Sequence, residues 1–100
     1  AALFETIAEV VKALAREVSR KNVLLNCVCP GPTNTPAMDA FVGTGEQGQK
    51  IRDAMVRGVP LGRIGEPDDY PGLVAFLASD DASFIQGQTI SVSGGLSMHG

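Results

Sequence analysis

One hundred residues make one small domain at most. With 44% hydrophobic and 19% charged residues the composition is that of a soluble globular protein. A net charge of −3 without a basic stripe, and only 5% aromatic residues, argue against nucleic-acid binding. The longest apolar stretches, such as Leu73–Ala78, are too short to span a bilayer, and no basic flank with an apolar core opens the chain. Neither a membrane nor a nucleic acid is therefore an expected partner. Ala1-Ala2-Leu3 leads straight into a helical pattern without an initiator Met, so the sequence is expected to open partway through something longer.

Ile7, Val10, Val11, Leu14 and Val18 recur at helical spacing, with Glu5, Glu9, Lys12, Arg16 and Glu17 largely opposite them. This predicts an amphipathic helix over 5–20. Acids open it and Arg16, Arg20 and Lys21 close it, in keeping with its dipole. Asn22 is read as its left-handed stop. The apolar run Val23–Cys29, broken only by Asn26 and ended by Pro30-Gly31, predicts a strand buried on both faces, as in a parallel sheet. Cys27 and Cys29 share one face of that strand. They lack the spacing and the partner pair of a metal site, so they are read as buried thiols in a reducing, cytoplasmic compartment.

Residues 30–65 are rich in Gly, Pro and Thr, with one short helix expected over Gln47–Val56 and loop elsewhere. Glu66-Pro67-Asp68-Asp69 carries helix-start signals, and Leu73, Val74, Phe76 and Leu77 form the apolar body of the helix that follows. Pro71 is costly inside a helix, so it either removes one hydrogen bond or delays the regular helix to that point. Asp80-Asp81-Ala82-Ser83 ends the segment, and the period-two stretch Gln88–Ser93 predicts a second strand closed by Gly94-Gly95. Two strands do not make a stable doubly wound sheet, so partners from other residues or another chain are expected.

Gly43-Thr44-Gly45-Glu46-Gln47-Gly48 matches G-x-G-x-x-G, but no convincing strand precedes it. A flexible loop is the better reading. Pro30-Gly31 with Thr33 and Thr35 is more informative. Ligands of open α/β sheets bind outside the carboxyl ends of strands. Gly31 lets backbone approach a ligand, and Thr33 and Thr35 bring hydroxyl and backbone groups. A plain turn is the alternative.

Asn26-Cys27-Val28-Cys29-Pro30-Gly31-Pro32-Thr33-Asn34-Thr35 resembles the sixth-strand motif of the short-chain dehydrogenase/reductase family, N-x-V-x-P-G-x-(I/V)-x-T. Pro60-Leu61-Gly62-Arg63-Ile64-Gly65-Glu66-Pro67-Asp68-Asp69, then Phe76–Gln88, then Ser91-Val92-Ser93-Gly94-Gly95 are similar to further segments of that family, in its order and spacing. The resemblance implies an α/β fold, the C-terminal portion of a Rossmann-like doubly wound parallel sheet, in a protein that binds NAD or NADP and interconverts a secondary alcohol and a ketone. It implies that Pro30 and Gly31 lie beside the nicotinamide, that backbone groups of Thr33 bind its carboxamide, and that Thr35 helps hold it and the phosphates. Residues 36–59 then cover a small-molecule substrate, and the tail from Leu96 packs on a neighbour in a homo-oligomer, commonly a tetramer. Thr33 departs from the family's Ile or Val, which leaves a backbone contact intact.

Within the family, the stretch from Cys29 to Met98 is similar to 2-hydroxycyclohexanecarboxyl-CoA dehydrogenases, which admits an acyl-CoA as substrate. The family's glycine-rich turn and catalytic Ser are not among these residues. Its catalytic Tyr falls just before Ala1, and its Lys falls on Phe4. No catalytic or metal-binding residue is therefore assigned, and the 100 residues alone are expected to be inactive. The rival reading is a truncated, inactive relative that serves as a subunit or interaction module. Tyr70 has no Lys one turn later, His99 is a lone tail histidine, and Arg63 and Glu66 are read as structural charges. Met38, Phe41 and Met55 fit either a substrate cavity or core packing.

Overall fold

The computed structural model describes residues 2–98, so His99 lies outside the described residues. The order is α1 (Ala2–Ser19), β1 (Cys27–Pro30), α2 (Pro36–Val42), α3 (Gly45–Gly58), a 3-10 turn (Pro67–Asp69), α4 (Pro71–Leu77), a second 3-10 turn (Asp80–Ala82) and β2 (Thr89–Val92). β1 and β2 are neighbours in a two-stranded sheet. Cys27 N–H bonds the Gln88 carbonyl and Gly31 N–H the Val92 carbonyl, a register that advances along both strands and makes the pair parallel. The chain divides into two compact units. One is the segment up to Cys29 with Gly72–Ile90; the other is Pro30–Pro71 with the segment from Ser91 onward.

In the first unit α1 follows its apolar period, and Val11 and Ala15 are buried. Ile7, Val10 and Leu14, on the same stripe, stay 41–50% exposed. Asn22 closes the helix as expected. It sits at φ 58°, with Asn22 N–H on the Ser19 carbonyl and Val23 N–H on the Val18 carbonyl, a Schellman ending. The strand is shorter and less buried than its apolar run predicts. Val23 and Leu24 are exposed and β1 begins only at Cys27.

The cause is Gln86, whose amide takes the backbone that a strand would have paired. Its Nε2 donates to the Val23 carbonyl at 2.9 Å and to Ser19 Oγ at 2.7 Å, and its Oε1 accepts from Leu25 N–H at 2.6 Å. Asn26, the one polar break in the run, acts like a backbone unit. It donates to the Ile85 carbonyl at 3.1 Å and accepts from Gln88 N–H at 2.9 Å. The cysteines are half-buried rather than fully buried, with their sulfurs 3.8 Å apart. Burial first, then the Cys27 thiol, pushes the Cys29 thiol up.

The second unit corrects the expected loop. Residues 36–58 form two helices, not one. Thr35 caps α2 by accepting from Met38 N–H at 3.2 Å, and Pro36 occupies the first turn, where its missing N–H costs nothing. Gly43, at φ 83°, ends α2, and Thr44 stands at the start of α3. A side chain at Gly48 would run into the Gly43 carbonyl. The glycine pattern is thus a joint between helices, neither a phosphate turn nor a flexible loop. Phe41 is 84% exposed, and Met38 and Met55 are half-buried.

Glu66 and Asp69 make a reciprocal capping box around the first 3-10 turn. The regular helix is delayed to Pro71, which stands at its first position and so removes no helical bond. Among the described residues no helix is long and apolar enough to cross a membrane.

Candidate functional site

β1 ends at Pro30, and Gly31 continues the ladder through its bond to Val92. A Cβ on Gly31 would stand 2.9 Å from the Cα and Cβ of Ser93. The neighbouring backbone therefore requires a glycine here by itself.

Beyond it the chain makes a second parallel pairing, an isolated bridge between Thr33 and Gly65. Gly65 N–H bonds the Pro32 carbonyl and Asn34 N–H bonds the Gly65 carbonyl, both at 2.8 Å. In such a bridge the central residue's own N–H and C=O point away from its partner. Thr33 therefore presents one amide donor and one carbonyl acceptor on the side opposite Gly65.

The Thr33 hydroxyl is turned to other work. Oγ1 donates to the Gly31 carbonyl at 2.8 Å and lies 2.6 Å from the Tyr70 hydroxyl. Its single proton is committed to the carbonyl, so Tyr70 is the donor to Thr33. Gly65 leaves room for this contact, because a Cβ there would come 2.6 Å from the Tyr70 hydroxyl. Thr35 is half-buried, and its Oγ1 accepts the α2 cap bond while keeping a proton to donate.

Arg63 holds Asp69 in a two-pronged pair at 2.8 and 2.9 Å. That pair, with the Glu66 N–H, holds the Asp69 carboxyl at about 2, and Arg63 is pushed up in turn. Asn34 donates to Glu66 at 3.3 Å, and Arg52 pairs with Asp39 across α2 and α3. Arg63 and Glu66 are thus both held by neighbouring polar side chains.

Pro30, Gly31, Thr33 and Thr35 thus occupy one strand end and the start of one helix. None of them lines the cleft of about 210 Å³ bounded by Pro32, Leu61, Arg63, Tyr70 and Ser93. That volume is below the roughly 300–1,000 Å³ of ordinary ligand sites, so the strand end, not the cleft, is the candidate. Sequence reading missed Tyr70 and Gly65. Tyr70 lies 37 residues from Thr33, and no local pattern joins them. Among the described residues no cluster of His, Cys, Asp and Glu stands together as a metal site.

The sequence profile of the family described as enoyl-(acyl carrier protein) reductase matches residues 5–97. A 3-oxoacyl-(acyl-carrier-protein) reductase of Chlamydia trachomatis is 40% identical over 85 residues, covering 85% of this chain and 32% of the relative. A (2S)-((R)-hydroxy(phenyl)methyl)succinyl-CoA dehydrogenase subunit of Thauera aromatica is 37% identical over 92 residues, 92% of this chain and 35% of the relative. The solved structure of YwfH, an NADPH-dependent reductase of bacilysin biosynthesis, superposes with a TM-score of 0.83 at 31% identity, over 95% of this chain and 38% of that one. The chain spans about a third of the length of the curated relatives it matches.

Proposed function

From the premise that the chain belongs to the short-chain dehydrogenase/reductase family, its α/β fold being a portion of that family's Rossmann-like doubly wound parallel sheet, we propose that it is the nicotinamide-side and substrate-side part of an NAD(P)-dependent oxidoreductase that interconverts a secondary alcohol and a ketone. The observation that carries this reading is the donor–acceptor pair that Thr33 presents at the carboxyl end of β1. A carboxamide offers the complement: its oxygen accepts from Thr33 N–H and its amine donates to the Thr33 carbonyl. Pro30 and Gly31 form the turn beneath it, and the Thr35 hydroxyl proton is available to an oxygen of the cofactor. When bound, the cofactor supplies or takes the hydride.

Residues 36–59, folded as α2 and α3, cover the substrate. An acyl thioester, on a carrier protein or CoA, is the substrate class we propose, because reductases and dehydrogenases named for such substrates resemble this chain. A 2-hydroxycyclohexanecarboxyl-CoA type of substrate is a member of that class. The complete protein is a homo-oligomer in this reading, and its sheet is completed by strands outside these residues. In this reading the family's Ser and Tyr positions lie outside them too, while its Lys position falls on Phe4. By themselves, the 100 residues neither bind the cofactor tightly nor turn over.

Phe4 at the expected Lys position favours a second reading, an inactive relative acting as a subunit. The upstream sequence, or an intact mass of the native protein, separates the two by showing whether a glycine-rich turn and a Tyr exist.

The site assignment is tested in the complete protein at Thr35. Thr35→Val removes both the cap and the donor. It is expected to weaken cofactor binding about tenfold or more, the consequence of a polar group left unpaired. Thr35→Asn restores a side-chain cap, and with it stability, without restoring affinity. Unchanged affinity in Thr35→Val contradicts the assignment.

A further inference from the structure

We infer that Tyr70 is a positioning residue for the nicotinamide turn, acting through Thr33; this rests on the reading that the turn holds a nicotinamide. The two hydroxyls form a directed chain: Tyr70 donates to Thr33 Oγ1 at 2.6 Å, and Thr33 donates to the Gly31 carbonyl at 2.8 Å. Each bond polarises the next, so the chain holds its geometry better than two separate contacts. It ends on the carbonyl of the residue that follows β1, and it passes through the residue whose backbone pair faces the proposed carboxamide.

Everything around Tyr70 serves to deliver its hydroxyl there. The Glu66–Asp69 capping box and the Arg63–Asp69 pair fix the turn that precedes it. Gly65 supplies the gap: a Cβ at this position would lie 2.6 Å from the hydroxyl and 3.3 Å from the Pro32 carbonyl. The same Gly65 pairs with the backbone on either side of Thr33. Backbone and side-chain contacts therefore converge on one residue from one segment, and Thr33's own N–H and C=O point away from Gly65. Family members with Ile or Val at this position have no hydroxyl for a tyrosine to reach. Here Thr33 supplies that hydroxyl.

The complete protein is titrated with NADH and NADPH in the wild type and in Tyr70→Phe, Thr33→Val, Thr33→Ser and the Tyr70→Phe/Thr33→Val double variant. Melting temperature is read alongside. Tyr70→Phe and Thr33→Val are each expected to weaken the preferred cofactor about three- to tenfold, the scale of one net hydrogen bond. The double variant should lose no more than the worse single one, and Thr33→Ser, which keeps the chain, should bind within about twofold of wild type. A purely structural pair would shift melting temperature alone. Wild-type affinity in Tyr70→Phe, or a loss in Thr33→Ser equal to that in Thr33→Val, overturns the inference while the cofactor reading stands. A wild type that binds neither cofactor overturns both.

Discussion

The two ends of β1 are held in opposite ways. At its entry, Gln86 and Asn26 use their amides to satisfy the backbone of residues 23–26 and 85–88. Donors and acceptors there close on the protein itself. At its exit, the backbone of Pro32 and Asn34 does the pairing with Gly65, while Thr33's own N–H and C=O are directed elsewhere. The entry is built for stability. The exit leaves one donor and one acceptor of Thr33 turned away from Gly65, the pair to which the proposed carboxamide contact is assigned.

The sharpest way to break this contrast is to remove the entry stitch. Gln86→Leu strips the acceptor from the half-buried Leu25 N–H and the donor from the Val23 carbonyl. It is expected to cost about 2–3 kcal/mol in denaturant titrations, chiefly through the part-buried Leu25 N–H, since an unsatisfied buried group costs roughly 1–3 kcal/mol and the exposed Val23 carbonyl turns to water. Cofactor affinity of the folded fraction should not change. A parallel fall in affinity would show that the two ends are not separate in function.

A smaller effect is expected at the exit. Gly65→Ala forces a Cβ toward the Tyr70 hydroxyl, an overpacking worth about 1–3 kcal/mol. Tyr70→Phe in the same molecule removes the clashing oxygen and leaves the ring Cζ at 3.5 Å, so it should recover most of that loss. Additive losses in the double variant would mean that the hydroxyl is not where the strain falls.

The smallest effect concerns pH. Asp69 is held at about 2 in the folded chain, below the ordinary carboxylate value, chiefly by Arg63. A depressed carboxyl contributes stability that is fully present above its unfolded value, about 3.9, and is lost as pH falls toward the folded one. Between pH of about 4 and 2, Asp69→Asn should therefore lose stability less steeply than wild type. Equal slopes would remove Asp69 from the account.

Much of this was legible in the residues. The spacing of Ile7, Val10, Val11, Leu14 and Val18 marked α1, and Asn22 marked its end. Pro71 after Glu66–Asp69 allowed a delayed helix, which is what forms. What failed was tertiary. The run Val23–Asn26 has a strand's composition, but Gln86, about sixty residues on, claims its backbone. The segment 36–58 has the glycines of a loop. The Thr35 cap and the Gly43–Gly48 joint make two helices of it all the same. Thr33 and Thr35 could be picked out at the strand end. Tyr70 could not, because its meaning comes from a partner 37 residues away.

The most direct test of the central claim, that the exit of β1 holds a nicotinamide, is a crystal structure of the complete protein with NAD(H) or NADP(H). The carboxamide is expected within about 3 Å of the Thr33 amide nitrogen and carbonyl oxygen, the distance of an ordinary hydrogen bond. A nicotinamide bound elsewhere, with Thr33 contacting no part of the cofactor, would contradict it.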